Sequence, residues 1–269
     1  MNRKKKLLDS LNGEDFILNE DYVFETFVPG DINRYAYNAA LAVARDPGGS
    51  SNIYNPLLIY GGNGLGKTHL IQAIGNYNNK NNDLKIIYCT GESFMYEFVC
   101  SVCYGQKFKD AFHNKYRNVD ILLIDAIHTI ERGAGTQEEL YYIFESLYNN
   151  KKQMVFTCDR PINELTGMAP RLLSRFQQML NVRLDLPERE GLIEIINKIV
   201  SRINLAYKME VILSDEIIEL IIENFYTNVC KITGAVKKLM GYAYLFGKPL
   251  TLEVAQRELK DHFVKVACR

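Results

Sequence analysis

Residues 61–68 read Gly61-Gly62-Asn63-Gly64-Leu65-Gly66-Lys67-Thr68, directly after the apolar run Leu57-Leu58-Ile59-Tyr60 and directly before Leu70-Ile71-Gln72-Ala73-Ile74, whose apolar spacing is helical. This is the pattern GxxxxGK[ST] in a strand–loop–helix setting, the phosphate-binding loop of nucleotide-binding α/β proteins. Glycines at 61, 64 and 66 let the backbone curl and turn its N–H groups inward. A helix beginning at Lys67 adds its positive end to the same place. In that geometry Lys67 reaches the β- and γ-phosphates of a nucleotide, and the Thr68 hydroxyl serves a Mg²⁺ ion.

Working outward, the 269 residues are 47% hydrophobic and 24% charged with a net charge of zero, which fits an ordinary globular protein with a sizeable core. A dominant nucleic-acid or membrane footprint is absent from that balance, though local patches are compatible with it. No apolar run has membrane-spanning length, and the basic start 1–6 does not lead into a signal-peptide core. Six cysteines (Cys89, Cys100, Cys103, Cys158, Cys230, Cys268) lie mostly in apolar stretches. Cys100-x-x-Cys103 falls on an expected helix with no second pair, so buried thiols in a reducing, cytoplasmic setting are the expectation.

Residues 1–20 read as a polar linker or tail. Helices are expected over 32–44, 67–77, 93–102 and 107–116, and strands over 57–60, 85–90, 121–125, 153–157 and 182–186. Asn-rich 76–82 reads as a surface turn, and Thr136-Gln137-Glu138-Glu139 as a capping box opening the next helix. Strands alternating with helices predict a parallel α/β sheet over 21–187. From 188 to 269 only amphipathic helices follow (188–204, 215–225, 229–246, 252–263), a small all-α lid, with Ser214 and Thr251 as N-caps and Gly247 with Pro249 as a stop.

Three further features bear on chemistry. Asp125 ends the continuous apolar strand 121–124, where a carboxylate beside a phosphate loop holds Mg²⁺. The next residue, Ala126, has no oxygen with which to orient an attacking water, a deficit for hydrolysis but not for binding. Arg171 and Arg175 lie four apart on one helical face, as either a solvated pair or a set of phosphate-stabilising arginines. Lys237-Lys238 on a lid helix read as solvated charges or as a cation reaching the phosphates. The histidines His69, His113, His128 and His262 are dispersed, and no metal or acid–base role is assigned to them from spacing.

An ordered series of segments resembles the AAA+ ATPase domain of the bacterial DnaA replication-initiator family: 24–33 (FETFVPGDIN), 54–70 (YNPLLIYGGNGLGKTHL), 116–125 (YRNVDILLID), 136–139 (TQEE), 158–161 (CDRP), 171–176 (RLLSRF), and Asn228-Val229 with Gly234-Ala235. The resemblance implies a P-loop AAA+ sheet domain with a helical lid. It implies ATP and ADP as ligands with Mg²⁺ held by Thr68 and Asp125. The implied nucleotide-contacting set is Gly61 to Thr68 with Phe27, Val28, Asn33, His69 and Lys238, and the implied catalytic set is Asp125, Asp159 and a trans-acting Arg175. ATP-bound copies are expected to stack head to tail and help open origin DNA, with a replicative helicase or regulators as further partners and acidic phospholipid implied by the family alone. Three departures stand out. Asp125-Ala126 replaces the usual Asp-Asp. Lys238 replaces an arginine, losing its fork. Gly133 and Gly135 replace a Lys-x-Arg pair used on single-stranded DNA, with Arg132 merely nearby. The family's duplex-binding domain follows the lid, and the sequence ends at Arg269 near that boundary, so duplex binding is not expected of this chain. A stand-alone regulatory paralogue and a helicase loader are the alternative readings.

Overall fold

The computed structural model describes Leu11 and residues 18–49, 53–81 and 83–260. Five strands form one sheet: β1 (Leu57–Tyr60), β2 (Ile86–Thr90), β3 (Ile121–Asp125), β4 (Gln153–Cys158) and β5 (Leu180–Arg183). All pairs are parallel and the order is β2-β3-β4-β1-β5. The helices are α1 (Gly30–Arg45), α2 (Lys67–Asn81), α3 (Gly91–Tyr104), α4 (Gln106–Arg117), α5 (Ala134–Asn149), α6 (Pro170–Gln177), α7 (Arg189–Tyr207), α8 (Asp215–Phe225), α9 (Val229–Phe246) and α10 (Leu252–Leu259). No described helix is long and apolar enough to cross a membrane.

The chain divides into two compact units. The first comprises Tyr35–Gly62, Lys67–Leu184 and the described residues up to Phe27. Strands β3 and β4 are buried along their whole length, as a central parallel strand covered on both faces must be. Leu58, Leu122, Ile124 and Phe156 from the sheet pack with Phe94, Phe112, Phe144 and Phe176 from the helices, and Leu11 joins this core. The second unit comprises Val28–Arg34, the loop tip Asn63–Gly66 and the described residues from Asp185 onward. Its core is a helical bundle built on Ile196, Ile217, Ile221, Ile232, Leu239 and Leu259. Asn33 ties Val28–Arg34 into this unit: its amide donates to Asp185 O at 2.8 Å and its oxygen accepts from Asp185 N at 2.8 Å.

Several expectations are corrected. The asparagine run 76–82 is not a turn, because α2 continues to Asn81. Asn78 donates back to Ile74 O, and buried Asn76 donates to Asn19 O and Tyr22 O. Those bonds satisfy amides that would otherwise compete with the helix. Thr136 does not open α5, which starts two residues earlier. Gln137 is instead buried, its amide donating to Ile130 O, Glu131 O and Gly167 O. β5 begins two residues before its expected start, and Asp185, beyond its end, is bonded to Asn33. Thr251 caps α10 through Val254 N, whereas the Ser214 hydroxyl makes no capping bond. The end of the expected helix 252–263 runs outside the described residues.

One buried ion pair braces α3 against α4. Lys115 Nζ sits 3.0 Å from Glu97 Oε2, both side chains under a tenth exposed, and the Tyr116 hydroxyl donates to the same oxygen at 2.9 Å. A buried charge stripped of its partner is costly. Lys115→Ala should therefore lower unfolding free energy by about 3–5 kcal/mol in urea titration, whereas the double change Lys115→Met with Glu97→Leu should restore most of that loss.

Candidate phosphate-binding site

The phosphate loop leaves β1 at Gly61, whose N–H donates to Cys158 O at 3.2 Å, and re-enters helix at Lys67. Lys67 is buried, and its ammonium donates to Gly61 O and Gly62 O at 2.7 Å each. The cation is thus drawn over the start of the loop by backbone carbonyls. The Thr68 hydroxyl donates to Asp125 Oδ2 at 2.7 Å. Asp125 is buried at the carboxyl end of β3. It is oriented by Tyr88, which donates to Oδ2 at 3.2 Å, and by Thr157, whose hydroxyl makes a very short bond to Oδ1. Burial, with Asp125 beside it, pushes the Tyr88 phenol above its ordinary range, so Tyr88 stays protonated and donates. Three protein hydroxyls therefore converge on one carboxylate, an all-oxygen cluster of the kind a hard cation such as Mg²⁺ prefers. Thr68 and Asp125, the pair expected to hold a metal, are brought together here, and Tyr88 and Thr157 join them without any sequence motif that marks them. Their positions became meaningful only once the pairing of Thr90 with Asp125 and of Ile124 with Phe156 was known.

Ala126 adopts a left-handed backbone, φ 58° and ψ 52°, which costs a non-glycine residue about 1 kcal/mol. The turn is held by Ala126 N donating to Thr157 Oγ1 at 2.8 Å, and by Thr129 N and Oγ1 donating to Ala126 O.

In the second unit the loop tip meets the start of α9. Val229 N donates to Gly64 O at 3.0 Å. Asn228 caps α9 by accepting from Lys231 N at 3.1 Å. Gly64 has φ +79°, and a Cβ there would lie 2.2 Å from the Asn228 side-chain oxygen. Glycine at 64 is thus needed both for its backbone and for the approach of the α9 cap. Asn63, Leu65 and Gly66 belong to the same tip, and Lys238 lies half-buried on α9, its neighbour Leu239 in the bundle core.

His69, on the first turn of α2, gathers the segment before α1. Its Nε2 lies 2.9 Å from Val23 O and 3.2 Å from Thr26 Oγ1. Tyr22 stacks on the ring at 4.9 Å and Phe27 meets it edge-on at 5.3 Å. Phe27 and His69 are thus brought together in the first unit, while Val28 and Asn33 group with the second.

Asp159 follows β4. Its backbone N–H donates to His128 Nδ1 at 3.3 Å, and its carboxylate also faces Arg160 at 3.5 Å. Arg175 on α6 is held within the chain. Its Nε lies 2.5 Å from Glu145 Oε1 on α5, its NH2 donates to Glu145 Oε2 at 3.0 Å, and its NH1 donates to Gln178 Oε1 at 3.2 Å. The pair is not sealed, since 33% of the Arg175 side chain stays exposed. Arg171, one turn earlier, is exposed. Glu145 carries no motif, and no sequence signal marks it.

Residues 18–183 match the family described as the bacterial DnaA ATPase domain. The chromosomal replication initiator protein DnaA of Treponema pallidum is 43% identical over 249 residues, covering 92% of this chain and 52% of that protein. That of Borreliella afzelii is 41% identical over 258 residues, covering 96% and 51%. The chain therefore spans about half the length of the curated relatives it matches. Among solved structures, domain III of the Thermotoga maritima replication initiation protein DnaA superposes with a TM-score of 0.84 at 40% identity, covering 93% of this chain and all of that one. A replication initiator DnaA bound to AMPPCP and single-stranded DNA superposes at 0.75 with 32% identity, covering 91% and 70%. The Thermotoga maritima RuvB motor, at 17% identity and 0.58, shares the fold alone. With a family match over most of its length and relatives above 40% identity, this chain belongs to the bacterial DnaA family and carries its AAA+ ATPase domain.

Proposed function

We propose that the chain is the ATP-switched assembly module of a DnaA-type initiator, binding ATP or ADP with Mg²⁺ at Gly61–Thr68 and joining further copies of itself to help open origin DNA in the cytoplasm. The observation that carries this reading is the convergence of Thr68, Tyr88 and Thr157 on Asp125 beside Lys67 and the phosphate loop. Lys67 exchanges its two backbone carbonyls for phosphate oxygens, and the loop N–H groups cradle the same charge. Thr68 and Asp125 hold the metal, which when bound neutralises charge on the β- and γ-phosphates. Phe27, Val28, Asn33 and His69 serve the adenine side. Lys238, on the helix whose first N–H is bonded to Gly64 O, carries nucleotide state into the lid.

Ala126 supplies no carboxylate for an attacking water, so hydrolysis is slow, with Asp125, Asp159 and Arg175 as the catalytic set. Arg175 acts between subunits: it leaves Glu145 for the γ-phosphate of a neighbouring copy, stabilising charge there. The relative solved with AMPPCP and single-stranded DNA supports extending nucleotide and single-strand binding to this chain. With Gly133 and Gly135 near the start of α5 and Arg132 merely nearby, this chain lacks the Lys-x-Arg pair that the family uses for that strand contact. Helicase and regulator contacts follow from the same family role.

Isothermal titration calorimetry should find ATP–Mg²⁺ binding that Lys67→Ala weakens at least tenfold, the loss of a charge-assisted hydrogen bond worth about 1.5–3 kcal/mol; unchanged affinity contradicts the assignment. Asp tolerates the left-handed backbone at 126 better than Ala does. Ala126→Asp should therefore raise the single-turnover hydrolysis rate at least tenfold, as a positioned general base does, with little change in nucleotide affinity. Sedimentation velocity with AMPPCP against ADP should show nucleotide-dependent assembly that Arg175→Ala abolishes without loss of ATP affinity. Glu145→Gln, which weakens the internal pair, should shift assembly to lower protein concentration. Equal assembly of Arg175→Ala and the parent chain would exclude the intersubunit role.

A further inference from the structure

At and beyond the ends of β3 and β4, Asp159 meets two groups whose chemistry the phosphate site does not use, His128 and Cys158. A ring nitrogen of His128, Cys158 Sγ and an Asp159 carboxylate oxygen lie within 4.8 Å of one another. Nδ1 stands 3.4 Å from Asp159 Oδ1, and Sγ stands 3.9 Å from the same oxygen. In sequence, His128 is thirty positions from Cys158; adjacent parallel strands close the gap, with Ile124 level with Phe156.

The protonation pattern makes the cluster unusual. A backbone N–H can only donate, and that of Asp159 donates to His128 Nδ1. Nδ1 therefore carries a lone pair and Nε2 the proton. Burial lowers the basicity of this imidazole more than Asp159 raises it, which keeps the ring neutral. The Asp159 N–H engages that lone pair, so a cation taken up at Nδ1 displaces this one bond, with the carboxylate oxygen and the sulfur standing beside it.

We propose that His128, Cys158 and Asp159 form a binding site for a soft divalent cation of the Zn²⁺ class, separate from the Mg²⁺ site of Thr68 and Asp125. Tetrahedral zinc with bonds of about 2.0–2.3 Å places its ligands about 3.3–3.6 Å apart. Two of the three separations, 3.4 Å and 3.9 Å, lie near that edge, and the third is within 4.8 Å, so the nitrogen and sulfur draw together when a cation binds. Sulfur with imidazole selects zinc over magnesium, as the all-oxygen set at Asp125 selects the reverse. Thiolate and carboxylate together cancel the ion's charge. Binding expels the Cys158 thiol proton to water, with nothing oxidised or reduced. His128 and Asp159 are each about one fifth exposed and Cys158 is buried, which leaves a solvent side for water as fourth ligand. Lys67 and Arg160 act on His128 from nearby, so positive charge limits the affinity. Occupation engages Asp159; on the reading that places Asp159 in the catalytic set, the cation and ATP hydrolysis then compete for it.

The test is Co²⁺ titration of the full chain under a thiol-free reductant, read by visible absorption and by competition with a chromophoric chelator, then displacement by Zn²⁺. One equivalent should give a tetrahedral spectrum with a sulfur-to-cobalt band. Cys158→Ser should remove that band, and His128→Gln should weaken binding at least tenfold. Cys100→Ser with Cys103→Ser should change nothing. Circular dichroism and ATP affinity report whether each variant is folded, and the second separates this proposal from the nucleotide reading. Absence of a stoichiometric complex, retention of the band in Cys158→Ser, or its loss only in the Cys100/Cys103 variant overturns the proposal.

Discussion

Asp125 is the group on which the rest of the site depends. A buried carboxylate must be compensated by donors, and in this chain the donors come from three separate segments: Thr68 at the start of α2, Tyr88 in β2 and Thr157 in β4. The same bonds therefore satisfy the charge, align the ends of three neighbouring strands and point two oxygen ligands at the end of the phosphate loop. Parallel α/β sheets bind ligands beyond their carboxyl ends because helix N-termini and strand-end side chains meet there. Asp125 is the point at which that general rule becomes a specific arrangement. The neighbouring turn at Ala126, strained and held by Thr157 and Thr129, follows from the same need to keep the carboxylate in place.

Electrostatic exchange is the common logic of the cationic groups. Lys67 rests on Gly61 and Gly62 carbonyls, and Arg175 rests on Glu145. Neither charge is stranded, so neither penalises the fold, and each can be transferred to a phosphate that offers stronger pairing. The difference lies in the competing partner. Backbone carbonyls are neutral and yield easily, whereas Glu145 is a full negative charge held in fork geometry by Arg175. Any partner that takes Arg175 must therefore displace a charged internal pair and not a neutral one.

Much of this was legible in the sequence, for physical reasons that differ by element. Strands 57–60 and 121–125 were found to the residue because fully buried parallel strands are continuous apolar runs with sharp ends. The phosphate loop was legible because only Gly-rich backbone makes that turn. What failed was where side chains override local propensity. Asn76 and Asn78 look like turn formers, yet inside α2 their amides are taken by Asn19, Tyr22 and Ile74 carbonyls. Thr136 looks like a cap, yet its neighbour Gln137 is taken up by the Ile130, Glu131 and Gly167 carbonyls. Tyr88, Thr157, Glu145, His128 and Cys158 carry no local pattern at all. Their significance comes from strand register and helix packing, which no window of sequence contains.

The most direct measurement of the central claim is the structure of the chain with AMPPCP and Mn²⁺ in place of Mg²⁺, with the metal located by its anomalous scattering. The account predicts one strong peak at the phosphate loop, held by Thr68 Oγ1 and by the Asp125 carboxylate directly or through one water, with Lys67 Nζ moved from Gly61 O and Gly62 O to the phosphates. A nucleotide seated away from Gly61–Thr68, or a metal with no contact to Thr68 and Asp125, would contradict it.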